Sequence, residues 1–123
     1  AINALVSGGF TNLKEGIEFA TAEMANGHVH ERDSIPDVMV IITDGNPNRP
    51  NNDVTLDRAA ARTAADAARA AGIEVFVVGV GSDVDATFLT DDIANDAPPT
   101  HYFSATNFSD LQTVLESLVT CNP

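Results

Sequence analysis

One cysteine, one tyrosine, no tryptophan and six basic residues stand against eighteen acids in this chain. Each shortage excludes something. A lone thiol, Cys121, cannot staple the chain to itself; it is a free thiol or half of a bridge to a segment outside the chain. A net charge of −12 leaves no basic patch for nucleic acid or an anionic membrane, and suits a protein that attracts cations. No apolar run approaches the ~20 residues of a membrane span, so direct membrane insertion is not expected. No signal peptide is present, and the chain starts at Ala1 without a Met, so a processed product or a piece of something longer is expected. What is there is 123 residues, 44% of them hydrophobic: one globular domain, long enough to bury about two thirds of its unfolded surface.

The chain is organised around Asp37-Val-Met-Val-Ile-Ile-Thr-Asp-Gly45. Val38 to Ile42 is an unbroken, mostly β-branched run with no alternation, which predicts a strand of a parallel sheet covered on both faces by helices. It ends at Thr43-Asp44-Gly45. Asp-Gly is a common turn, and a carboxylate at the carboxyl end of such a strand is also where open α/β sheets keep their ligands. Both readings stand at this point.

Around it, Gly8-Gly9 ends a short apolar segment, Ala1 to Ser7, expected to be the tail of a helix. A helix over 13–26 follows, with Leu13, Ile17, Ala20 and Met24 on one stripe. Residues 28–36 read as a surface loop, and His28-x-His30 within it reads as solvated rather than as a metal pair. Asn46 to Asp53, with two prolines and four asparagines, is a loop. A helix over 54–71 follows, capped by Asp53 or Thr55, with Leu56, Ala60, Ala64, Ala67 and Ala71 expected on its inner face and Arg58, Arg62, Asp66 and Arg69 outside. Ile73 to Val80 is a second strand. Strand, helix and strand in this order form a right-handed crossover, making the two strands parallel neighbours.

Asp83 or Asp85 caps a short helix over 86–94. Asp91, Asp92 and Asp96 make this part acidic, but the order of a calcium loop is absent. Thr100 to Ser104 is a third strand. The last helix starts at Phe108, with Leu111, Val114, Leu115, Leu118 and Val119 on one face. Asn107-Phe108-Ser109 fits both a glycosylation sequon and a helix cap.

Two features converge on the carboxyl edge of the sheet: Gly8-Gly9-Phe10-Thr11-Asn12-Leu13 and Thr43-Asp44-Gly45. A hydroxyl and a carboxylate there are hard oxygen donors suited to Mg²⁺, Mn²⁺ or Ca²⁺. No Ser-His-Asp set, phosphate-cradling glycine loop or cysteine site accompanies them.

Gly-Gly-x-Thr-Asn-Leu followed by Gly16, Ile-Ile-Thr-Asp-Gly, Ala71-Gly-Ile-Glu-Val-Phe-Val-Val-Gly-Val-Gly81 and Phe108-Ser-Asp-Leu111, in this order, resemble motifs of the von Willebrand factor type A (vWA) family. The resemblance covers nearly the whole chain. It implies a doubly wound, Rossmann-like α/β fold, with residues 1–123 the C-terminal portion of a single vWA domain that lacks its first strands in this chain. It also implies a metal-ion-dependent adhesion site (MIDAS) in which Thr11 is a direct ligand and Asp44 a ligand directly or through water.

The family's remaining motif, Asp-x-Ser-x-Ser, is absent from the chain. The implied partner is therefore an upstream half of the same domain that carries it. The first family strand belongs beside Val38 to Ile42, so without it that strand is expected to show a naked edge and an exposed apolar face. The resemblance further implies that Cys121 pairs with a cysteine before the first strand. It implies an extracellular or cell-surface adhesion module, not an enzyme, whose cation is completed by an acidic side chain of a protein ligand. Asn46, Asn48 and Arg49 flank that place and are expected to contribute ligand contacts, Arg49 by pairing with an acid. A vWA assembly module that binds no metal, and a Mg²⁺-dependent hydrolase or phosphotransferase, are the alternatives.

Overall fold

The computed structural model describes residues 9–25, 35–94 and 101–119. The 1–7 segment, His28, His30, Asp96, Cys121 and the side chains of Leu118 and Val119 lie outside the described residues.

Three strands, β1 (Val38–Thr43), β2 (Glu74–Val80) and β3 (Tyr102–Ala105), form a parallel sheet in the order β1-β2-β3. Val40 lies opposite Phe76 and Val78 opposite Phe103. Parallel neighbours need crossovers, and helix α2 (Val54–Ala70) supplies the one between β1 and β2. Helix α1 (Leu13–Met24) precedes β1. A single turn α3 (Ala86–Phe88) runs into a wide π-type turn, Leu89–Ile93, after β2, and α4 (Phe108–Val119) follows β3.

Helices lie on both faces, which makes this the doubly wound α/β arrangement that the apolar strands predict. On one face Met39, Val75 and Val77 pack with Leu13 and Ile17 of α1, the alanines of α2, and Phe88, Leu89 and Ile93. On the other, Val78, Val80 and Ala105 pack with Phe103 and with Leu111 and Val114 of α4. The caps follow the expected chemistry. Asp53 accepts the N–H groups of Thr55 and Leu56, Asp85 that of Phe88, and Asn107 those of Ser109 and Asp110.

Two expectations are corrected. The inner stripe of α2 is Asp57, Ala61, Ala64, Ala65 and Ala68, while Leu56 is 56% exposed. The helix is thus rotated by about one residue, roughly 100°, from the face that Leu56 suggests. The cause is Asp57, whose carboxylate has three N–H donors inside. Second, β1 is covered on one face only: Met39 is buried, whereas Val38, Val40 and Ile42 are 48%, 43% and 47% exposed. Among the described residues β1 pairs with β2 alone, so its outer edge is open, as expected for this strand without its family neighbour. A groove of about 280 Å³ runs between α1 and β1, walled by Leu13, Ile17, Met39 and Ile41.

Candidate metal centre

Because the strands are parallel, Thr43, Val80 and Ala105 end at the same rim. The segments leaving them enclose a cleft of about 330 Å³ lined by Asp44, Gly81, Ser82, Asp83, Thr106 and Asn107. Asp44 therefore stands at the ligand edge of the sheet. It is exposed, and the turn is set locally: the Thr43 hydroxyl donates to the Gly45 carbonyl at 3.0 Å.

Thr11 reaches the same rim from the start of α1. Its Oγ1 lies 3.8 Å from where a Cβ on Gly45 would stand, so the hydroxyl sits over the residue next to Asp44. Among the described residues, neither the Thr11 hydroxyl nor the Asp44 carboxylate takes a hydrogen bond or ion pair from the protein. The structure thus sets the Thr11 hydroxyl near Gly45, the residue after Asp44, while Thr11 lines the groove between α1 and β1 and Asp44 the cleft beyond β2; both side chains carry hard oxygens. That donor set fits a divalent cation of the Mg²⁺, Mn²⁺ or Ca²⁺ type. No group of three or more His, Cys, Asp or Glu side chains suited to a metal occurs among the described residues.

The three flanking residues are engaged within the chain. Asn48 accepts the Thr11 N–H through Oδ1 at 2.8 Å, donates Nδ2 to the Gly9 carbonyl at 3.0 Å, and donates its own N–H to the Thr11 carbonyl at 3.0 Å. Asn46 donates to the Asp83 carbonyl at 3.2 Å and accepts from Arg58 at 2.7 Å. Arg49 donates to the Asn48 carbonyl and to Asn52, and its guanidinium lies 3.8 Å above the exposed Phe10 ring.

Arg58, Asp57 and Phe10 were not legible as contributors to this rim. Arg58 ties Asn46 to Asp85 at 2.8 Å and stands over Phe88. The Phe88 N–H holds the Asp85 carboxyl below the usual carboxylate range, with Arg58 adding to the effect against burial. Burial alone would raise the Asp57 carboxyl; the N–H groups of Asn51 and Asp53, the Asn51 amide and the Arg49 charge outweigh it, so Asp57 also lies below that range. Asp57 lies four residues after the capping Asp53, one past the position where a capping box places its acid, yet its Oδ2 still accepts the Asp53 N–H at 3.1 Å.

The von Willebrand factor type A domain matches residues 1–117 of this sequence. The chain belongs to the von Willebrand factor type A family. No curated protein matches it significantly. Among solved structures, proximal thread matrix protein 1 from the mussel byssus superposes in one crystal form with a TM-score of 0.72 at 22% identity, over 96% of this chain and 28% of that one. The same mussel protein with a zinc-occupied MIDAS motif superposes with a TM-score of 0.70 at 21% identity, again over 96% and 28%. At this identity the likeness is one of fold, and the chain spans less than a third of the mussel protein's length.

Proposed function

We propose that this vWA chain is a divalent-cation-dependent protein-binding module. The observation that carries the reading is the Thr11 hydroxyl lying near Gly45, the residue that follows Asp44 at the end of β1, with both side chains free of protein partners among the described residues. Thr11 supplies a neutral oxygen and Asp44 a charged one, directly or through water. Asp-x-Ser-x-Ser of an upstream segment supplies further oxygens. A bound Mg²⁺, Mn²⁺ or Ca²⁺ offers its remaining coordination position to an acidic side chain of a protein ligand. The net charge of −12 favours cation capture at the rim.

The open edge of β1, its exposed Val38, Val40 and Ile42, and the groove between α1 and β1 support an upstream strand docking there. Asn46 is engaged by Arg58 and the Asp83 carbonyl, which supports an interaction module over a hydrolase that needs an acid or base at this position. A cell-surface or matrix location follows from the family reading. No helix among the described residues is long and apolar enough to cross a membrane.

Titration of the full protein with Mn²⁺ and Mg²⁺ tests the reading. Thr11→Ala and Asp44→Ala should each weaken cation binding by about tenfold or more while Tm in EDTA stays within a few degrees of wild type. Cation affinity unchanged by both substitutions would exclude this rim as the site.

A further inference from the structure

Asn48 lies in the loop after β1, and Thr11 precedes α1; 37 residues separate them, yet three hydrogen bonds join the two segments. Two of these come from the Asn48 side chain. Its Oδ1 holds the Thr11 N–H and its Nδ2 holds the Gly9 carbonyl, so the amide grips the Thr11 segment from both sides of Phe10. Of the side chains that loop contributes, only an amide can do both, since it presents an acceptor and a donor together. Gly9 has a positive φ of 69°, and a Cβ placed on it would meet nothing within 4 Å, so no side-chain packing constrains this point of the segment.

We infer that Asn48 is a positioning residue: it fixes the Thr11 hydroxyl over Gly45 and thereby sets the affinity of the rim for its cation. This rests on the cation reading above and assigns Asn48 a role distinct from contact with a protein ligand. The physical reason is preorganisation. A metal ligand on an untethered segment must be ordered when the ion binds, and loss of the groups that orient a ligand typically costs about 10- to 100-fold in metal affinity.

The experiment uses the full protein, Mn²⁺ as probe, and two readouts. Asn48→Ala should raise the Mn²⁺ Kd by about tenfold or more. In the Thr11→Ala background the same change should add less than about twofold, because Asn48 acts through Thr11. Asn48→Asp should also weaken binding, despite its added negative charge, since a carboxylate cannot donate to the Gly9 carbonyl. Tighter Mn²⁺ binding by Asn48→Asp, or fully additive effects of Asn48→Ala and Thr11→Ala, would overturn the positioning role. The second readout is amide hydrogen exchange at Thr11 without metal. Asn48→Ala should speed it by about tenfold or more, and unchanged exchange overturns the strut whatever the cation does. A wild-type protein that takes up no Mn²⁺ overturns the cation reading and the affinity half of this proposal. The exchange result separates that failure from failure of the strut.

Discussion

One oxygen of Asp57 holds Asn51 twice: Oδ1 accepts the Asn51 backbone N–H at 2.8 Å and its side-chain amide at 2.9 Å. The other oxygen accepts the Asp53 N–H at 3.1 Å, while Asp53 caps the same helix. The second half of the rim loop is thus fastened to the first turn of α2 by a fully buried carboxylate. Replacing Asp57 with Asn turns one acceptor into a donor facing the Asp53 N–H. Asp57→Asn should lower Tm at neutral pH by about 5 °C or more.

The same carboxylate has a pH signature. Its folded pKa lies below the ordinary value of 3.8, so the charged form is favoured by folding. Its contribution is complete above about pH 4 and is lost as pH falls through the lower folded value. Asp85 is shifted in the same direction and acts in the same window. Acid unfolding followed by circular dichroism should show wild type and Asp57→Asn converging as pH falls below about 4. A constant gap between the two curves down to the lowest pH would show that the hydrogen-bonded charge does not stabilise the fold.

Gly79 near the end of β2 is packed under Tyr102. A Cβ there would lie 2.6 Å from the tyrosine Oη, 3.1 Å from Val84 Cγ2 and 3.2 Å from Tyr102 Cε2. Gly79→Ala should cost about 1–3 kcal/mol by overpacking. Adding Tyr102→Phe removes the nearest atom and should recover part of that loss, measured by urea unfolding. No recovery would place the strain at Val84 instead.

Much of this was legible because it is local. β-branched runs mark the strands, apolar spacing marks α1, and Asp53 and Asn107 are caps whose side chains act within three residues. Asp44 falls at the rim because parallel strands share one carboxyl end, and Thr11 reaches it from the start of α1. The phase of α2 was not legible, since its alanines fit two stripes equally well and Leu56 favours the wrong one. Burying an aspartate on the correct stripe is favourable only because Asn51 and Asp53 satisfy it. The Asn48 strut was hidden for a related reason: asparagine in a loop signals a turn, and its partners here are 37 and 39 residues away.

The open face of β1 makes opposite predictions for the chain alone and for the full protein. Val38, Val40 and Ile42 form an apolar strip on the uncovered face of β1, whose outer edge has no strand partner among the described residues, a surface that associates in water. Residues 1–123 alone should self-associate in size-exclusion chromatography with light scattering, and Val40→Lys should increase the monomer fraction. If an upstream segment docks here as proposed, the same lysine in the full protein should lower Tm by about 5 °C or more, because the docked segment would leave its charge unpaired. An unchanged Tm there would mean that this face stays in water.

Gly45 tests the distance on which the cation reading stands. Its φ is not in the left-handed region, and a Cβ would meet Thr11 Oγ1 at 3.8 Å, an ordinary contact. Gly45→Ala should therefore leave Mn²⁺ affinity within about threefold of wild type. Gly45→Val carries two methyl groups beyond that Cβ, toward a hydroxyl already in contact, and must push Thr11 away or turn from it. A displacement of even 1 Å is enough to weaken coordination, because oxygen ligands of Mg²⁺ tolerate little departure from about 2.1 Å. The valine variant should raise the Mn²⁺ Kd by about tenfold or more without a matching loss of Tm in EDTA. Equal affinities for the alanine and valine variants would show that the ion does not depend on the Thr11 hydroxyl lying where the structure has it.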